Sequence, residues 1–278
     1  MALTNFAEIF SPVLLQALRD RLVYSRFFNN DYQGNVTYGN KVAIVNLDAV
    51  TVGPYTRDTA IDYELASDTK QSLLIDQQQY FAVSVDDIDA VQSNANILGG
   101  LAADGAFQLA KTMDTFLAGV VSAGAGIVSG LGTSGAPLAI TSADVKALLL
   151  TIGRKLDEAN VPRQGRAVAV PPWFLEKIVL AGITDSTANQ DMLLNGSAGR
   201  FLGFDVLVSN SVPVDTAKFQ IVAGTNLGAT MAMQLAKTEQ IRLESHFADA
   251  IRGLAVYGGK VTRAGTIAKA WVTEGPEA

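Results

Sequence analysis

The chain has 278 residues, enough for one large domain or two lobes with a substantial core. Charged residues make up only 17% and hydrophobic residues 49%, which points either to an unusually large, Ala- and Gly-rich core or to a surface covered by further copies of the chain. A net charge of −6 without any undiluted basic run excludes tight phosphate-driven binding of nucleic acid, and the lack of cysteine excludes disulfides, thiolate chemistry and cysteine-ligated zinc.

The chain opens with an apolar arm. Phe6, Ile9 and Phe10 precede Ser11, which is placed to cap a short helix with Pro12 at its first position. Leu14, Leu15, Leu18 and Leu22 then form one stripe. Residues this close to a terminus usually fray, so the arm needs a surface on its own subunit or on a neighbour. No Lys or Arg precedes Arg19, so the start lacks the charged beginning of a secretory signal. Residues 41–52 are a β-branched run ended by Gly53-Pro54, and residues 73–85 are a second extended run beyond the polar segment 57–70. The two runs are predicted to form a protruding β-hairpin reaching on the order of 40 Å at ~3.3 Å per residue. A two-stranded ribbon of that length is marginal alone and would lie on another subunit. Two ordinary strands of a central sheet are the alternative.

Asp86-Asp87-Ile88-Asp89 opens a long helix of about 50 Å. Its apolar stripe is predicted at Ile88, Val91, Ala95, Leu98, Ala102, Ala106, Leu109, Met113, Phe116 and Val120, with a bend or a close contact at Gly99-Gly100. Residues 115–142 carry no charge, but their glycines and Pro137 argue for a helix end, a buried loop and a strand, and against a membrane span. Thr141 and Asp144 resemble a capping box, followed by an amphipathic helix on Val145, Leu148, Leu149, Ile152 and Leu156. Residues 165–170 give a short buried strand, and Pro171-Pro172 start a helix containing Trp173, Phe174, Leu175 and Ile178. A glycine-punctuated loop over 195–203 leads to a strand within 204–213, another strand over 219–222 and a helix over 227–235. Strands near Ile241, 254–257 and 267–272 end the chain. Mixed elements without a regular βαβ period indicate an α+β fold.

Candidate chemistry is sparse. His246, beside Ser245 and near Asp249, is the single histidine, but adjacent strand residues point to opposite faces and do not converge as a triad requires. Asp86, Asp87 and Asp89 lack the ligand spacing of a calcium loop and suit the start of a helix. Gly124-Ala-Gly126-Ile-Val-Ser-Gly130 misses the dinucleotide spacing by one residue, and Gly224-Thr-Asn-Leu-Gly228 lacks the Lys and Ser/Thr that cradle phosphates. Both read as turns and packing sites, and Asn195-Gly196-Ser197-Ala198-Gly199 as a flexible loop. No catalytic, cofactor-binding or metal site is expected, and no cofactor. The basic clusters Arg19, Arg21, Arg26 and Arg154, Lys155, Arg163, Arg166 are diluted by apolar or acidic neighbours.

The order of parts is apolar arm, hairpin, acidic-capped long helix, mixed lobe and closing strands. It resembles, over nearly the whole chain, the HK97-like (Hong Kong 97) fold of tailed-phage major capsid proteins. The resemblance is carried by Ile75-Asp-Gln-Gln-Gln-Tyr-Phe-Ala-Val-Ser-Val-Asp-Asp-Ile-Asp-Ala-Val-Gln92, similar to the junction of extended loop and spine helix. Val161-Pro-Arg-Gln-Gly-Arg-Ala-Val-Ala-Val-Pro171 and Gly203-Phe-Asp-Val-Leu-Val-Ser-Asn-Ser-Val-Pro213 are similar to segments of the axial lobe. The resemblance implies an N-terminal arm over 1–33, an extended loop over 34–85, a peripheral domain with the spine helix over 86–130 and 245–278, and an axial domain over 131–244. It implies a non-enzymatic subunit that forms pentamers and hexamers of an icosahedral shell around double-stranded DNA, assembled in the bacterial cytoplasm. A portal is the implied partner, with a separate scaffolding protein or none, and a decoration protein as a further option. Lys41 and Lys70 lie in the loop region, but no partner Asn or promoting acid is identifiable for a covalent cross-link. The alternatives are an encapsulin-type cellular compartment of the same fold and a soluble α+β enzyme.

Overall fold

The computed structural model describes residues 22–31, 41–47, 52–55, 57–58, 68–88, 97–181, 199–201, 203–244 and 246–276. The predicted Ser11-capped helix, the hairpin tip over 59–67, Asp89, Val91, Ala95 and residues 195–198 lie outside them.

Long antiparallel strands and one long helix build the first layer. A 3-10 turn at Tyr24–Phe27 leads into β1 (Phe28–Asn29), which pairs in parallel with β11 (Ala229–Arg242). β11 runs antiparallel to β12 (Ala248–Val261), and β12 to β4 (Gln77–Asp86), giving the sheet order β1-β11-β12-β4. Helix α1 (Ile97–Gly124) lies across this sheet. Its 28 residues span about 42 Å. Residues 87–88 are also helical.

Burial along α1 falls on Ala102, Ala106, Leu109, Ala110, Met113, Leu117, Ala118 and Val121. Phe116 and Val120, predicted on this stripe, are only half-buried, because the true period of 3.6 carries the face onto Leu117 and Val121. Ile88 is exposed as well. Gly100 has open space where a Cβ would stand, so it marks no close contact within the subunit. Gly105 does: a Cβ there would come within 2.6 Å of the Phe81 ring, and one on Gly253 would approach the same ring from β12. Two residues without side chains thus let the β4 aromatic sit between helix and strand.

The second layer is a mixed sheet of order β5-β13-β10-β6-β8-β7, with β9 paired to β10. Its strands are β5 (Leu138–Ile140), β6 (Arg166–Val170), β7 (Arg200–Phe201), β8 (Phe204–Val208), β9 (Val214–Asp215), β10 (Lys218–Gly224) and β13 (Ile267–Glu274). Helices α2 (Ser142–Glu158) and α3 (Pro172–Leu180) pack on one face through Val145, Leu148, Leu149, Ile152, Leu156, Phe174 and Ile178. The C-terminal half of α1 and the Tyr24–Phe27 turn cover the other face through Leu117, Val121, Tyr24 and Phe27. β6 is therefore buried along its whole length, Val168 and Val170 toward α2, Ala167 and Ala169 toward α1. At the start of α2 the Thr141 backbone N–H donates to the Asp144 carboxylate at 3.3 Å, the returning bond of a capping box, and the Thr141 hydroxyl donates to the same carboxylate at 2.7 Å. The Thr141 hydroxyl bond chiefly holds the Asp144 pKa below the usual carboxylate range.

Two expectations change. Residues 73–85 do not form one hairpin strand. β2 (Lys41–Leu47) pairs antiparallel with β3 (Asp68–Leu74), the chain breaks direction at Ile75-Asp76, and β4 joins the other sheet as an edge strand. The run is continuous in sequence because β-branched and aromatic residues suit both sheets equally. Residues 227–235 are predicted as a helix on their Ala, Met and Leu content, yet β11 begins at Ala229. Ala229–Met233 are buried on both sides, Ala229, Met231 and Met233 toward α1, Ala232 toward the β2–β3 ribbon. With both faces covered, no period-two alternation survives to mark a strand.

Candidate assembly surfaces

The residues examined for chemistry serve structure. Asp249 faces Arg242 at 3.4 Å, His246 is exposed at the β11–β12 turn, and Ser245 lies outside the described residues. No group of metal-binding side chains occurs among the described residues, nor is any described helix long and apolar enough to cross a membrane. The glycine motifs are close approaches of backbone: a Cβ on Gly126 would meet the Ala264 carbonyl oxygen at 2.7 Å, and one on Gly224 the Thr266 carbonyl oxygen at 2.7 Å.

The described arginines of the two basic clusters are each paired with an acid. Arg26 reaches Asp205 at 3.3 Å, and Arg154 reaches Glu158 at 3.0 Å. Asp157 accepts Arg163 at 2.8 Å and the buried Arg166 at 2.7 Å, and these bonds, Arg163 first, hold its pKa below the usual range. Arg166 also donates to the Pro162 carbonyl at 2.9 Å and to the Val161 carbonyl.

Junctions between distant segments are built by carboxylates. The Ile88 N–H donates to Asp86 at 2.9 Å, the N-cap geometry expected of this acidic group. Asp87 instead bonds Arg242, and this bond lowers the Asp87 pKa and raises that of Arg242. Its own N–H donates to the Phe247 carbonyl at 2.9 Å. The start of the helix, the end of β11 and the beginning of β12 are thereby tied at one point.

Asp114 was not singled out by its sequence position. It lies on the apolar face of α1, 4% exposed, and accepts the Tyr24 N–H at 2.8 Å and the Ser209 hydroxyl at 3.2 Å. Burial pushes its pKa above the usual carboxylate range, against the lowering effect of these bonds. One side chain thus joins the arm segment, the long helix and the loop after β8. A carboxylate in step with Ala110, Met113 and Leu117 was the available signal, since a charge on a buried stripe requires partners.

Outward-facing surfaces are apolar where the body ends. The β2–β3 ribbon is held to β11 and β12 by Val42, Ile44, Leu73, Ile75, Ala232 and Val256, leaving its outer edges free of the body sheets. Val52 and Tyr55 beyond it are exposed. On the sheet face opposite α1, Tyr80 is 76% exposed beside Leu254, and Phe247 at the β11–β12 turn is 81% exposed. Tyr80 and Leu254 are direct cross-strand partners, so the two form one outward apolar patch.

Comparison with known proteins gives these surfaces a context. Residues 69–270 match the family model described as phage capsid protein. A solved chain of Mycobacterium phage Che8 is 32% identical, with 88% of this chain and 89% of that chain covered at a TM-score of 0.73. A chain from the capsid structure of Cyanophage P-SCSP1u is 15% identical, with 85% and 84% covered and a TM-score of 0.70. A chain from the virus-like particle of Pyrococcus furiosus is 12% identical, with 95% and 99% covered and a TM-score of 0.56. No curated protein matches the sequence. With a long helix across a four-stranded sheet, a second mixed sheet with its own helices and a separate two-stranded ribbon, the chain belongs to the phage capsid protein family and has the Hong Kong 97 fold of major capsid proteins.

Proposed function

We propose that the subunit assembles through pentamers and hexamers into an icosahedral shell that encloses double-stranded DNA. The observation that supports this reading is the β2–β3 ribbon, a separate two-stranded sheet seated on β11 and β12, whose connection carries the exposed Val52 and Tyr55. The arm up to residue 21 and the extended loop up to β3 lie across neighbours, while residues 22–29 and β4, expected in the arm and the loop, pack within the subunit itself. The peripheral body, α1 with β1, β4, β11 and β12, supplies the rigid part, so β11 joins it from the expected axial range 131–244. The axial lobe, the mixed sheet with α2 and α3, takes in β13 from the expected peripheral range 245–278 and meets its copies around five- and sixfold centres. Many weak contacts per subunit then add to a stable closed shell. DNA is contained without being gripped, the net charge of −6 and the ion-paired arginines offering little to phosphates. Assembly takes place in the host cytoplasm around a portal, with a separate scaffolding or decoration protein as further partners.

Negative-stain microscopy of the purified protein tests the shell, closed particles being the expected result and a stable monodisperse 29.3 kDa species the result against it. Deletion of residues 54–70 is expected to leave a folded subunit that no longer forms normal shells, and particles of wild-type appearance from that deletion refute the role of the loop. The likeness in fold to the Pyrococcus furiosus virus-like particle supports a second reading, a cellular compartment with an enzyme as cargo. Copurification of a cargo enzyme with the particles favours that compartment, and packaged DNA favours the phage shell.

A further inference from the structure

We propose that the β9–β10 turn of one subunit docks into the arginine-lined groove beside α2 of the next, a head-to-tail contact between copies around each capsomer. The inference rests on the shell reading above and names a contact that this reading leaves open.

The turn has the form of an insert. Val214 and Asp215 pair with Phe219 and Lys218 around Thr216 and Ala217, whose φ angles are 48° and 64°. Two successive left-handed residues are what a tight type I′ hairpin demands, and Asn or Gly normally supplies them. A β-branched threonine in that region is strained, and such strain persists where a segment's shape serves a purpose beyond its own packing. Among the described residues the turn packs into no core: Val214 is 52% exposed and Asp215, Thr216 and Ala217 are exposed with it. Lys218 is drawn back to the Ser134 carbonyl at 2.7 Å, so the tip presents one apolar residue and the Asp215 carboxylate.

The groove offers the complement. It encloses about 460 Å³ and is lined by Leu150, Gly153, Arg154, Arg163, Arg166 and Phe204. Leu150 is 50% exposed at its edge. Three guanidinium groups face two carboxylates, Asp157 and Glu158, so the groove keeps positive charge beside an apolar wall. An acidic tip gains charge-assisted hydrogen bonds from Arg154 or Arg163, and Val214 covers Leu150.

The sheet sets the geometry. Gly224, at the far end of β10, faces Ala167, next to Arg166. The turn at the near end of β10 is thus separated from the groove by the length of the strand, roughly 20 Å at ~3.3 Å per residue. Turn and groove cannot meet in one subunit. Complementary features at opposite ends of one rigid lobe make a heterologous contact, the kind that closes into rings of five or six.

The chain contains no cysteine, so engineered pairs report without background. Particles of the double variant Thr216→Cys with Leu150→Cys, oxidised and run on a non-reducing gel, are expected to give a ladder reaching five and six subunits. Each single variant should stop at dimers. Arg154→Cys in place of Leu150→Cys samples a second groove position. Normal particles that give no ladder with either groove position overturn the contact and leave the shell reading standing. Failure of the unsubstituted chain to form particles overturns the shell reading and the contact with it.

Discussion

Replacing Asp114 by alanine removes the buried acceptor that joins the arm segment to the long helix. The Tyr24 N–H and the Ser209 hydroxyl, now at 2.8 Å and 3.2 Å from the carboxylate, lose that partner inside the protein. A stranded buried donor costs about 1–3 kcal/mol. Part of this is offset, because the burial that raises the Asp114 pKa is a desolvation cost that the variant no longer carries. A net loss of about 2 kcal/mol is expected, or roughly 4–8 °C in melting temperature for a chain of this size. Asp114→Asn keeps an oxygen for the Tyr24 N–H and should lose under about 1 kcal/mol. The pH dependence follows from the direction of the shift. A folded-state pKa above the unfolded value stabilises the native state fully below the unfolded pKa, and that contribution is lost as pH rises through the folded pKa. Wild type should therefore gain stability over Asp114→Asn as pH falls from neutral into the carboxylate range. Calorimetry across that window, with hydrogen exchange read at the Tyr24 amide, measures both effects. An Asp114→Ala protein that melts with wild type and keeps its Tyr24 amide equally protected refutes the reasoning.

Gly105→Ala should lose about 1–3 kcal/mol through overpacking, more than the ~1 kcal/mol gained in helix propensity, because Gly253 confines the Phe81 ring from the other side. Adding Phe81→Leu to that variant should restore part of the loss in urea titration, and no restoration contradicts the clamp. Arg242→Ala should lower stability at neutral pH, with the difference from wild type closing as pH falls. The Asp87 pKa is depressed by the Arg242 hydrogen bond, so its contribution is present above the unfolded pKa and lost as pH falls through the folded one. A pH-independent difference between Arg242→Ala and wild type rules that linkage out.

Local pattern was legible wherever one face of an element meets a core and the other meets water. On α2, Val145, Leu148, Leu149, Ile152 and Leu156 could be named from spacing alone, and all five are buried. Pro172 starts α3 because proline sacrifices no hydrogen bond at a first helical position. The α+β class and the order of parts could be read in the same way. What needed the folded chain is every feature set by two segments meeting. Ala229–Met233 reads as helix until a ribbon and a helix cover both its faces, and residues 73–85 read as one strand until two sheets divide them at Ile75-Asp76. Asp114 finds Tyr24 across 90 residues of sequence, and Asp87 finds Arg242 across 155. Periodicity records which side of an element is apolar, while pairing between distant segments depends on which faces are left to be covered once the chain has closed.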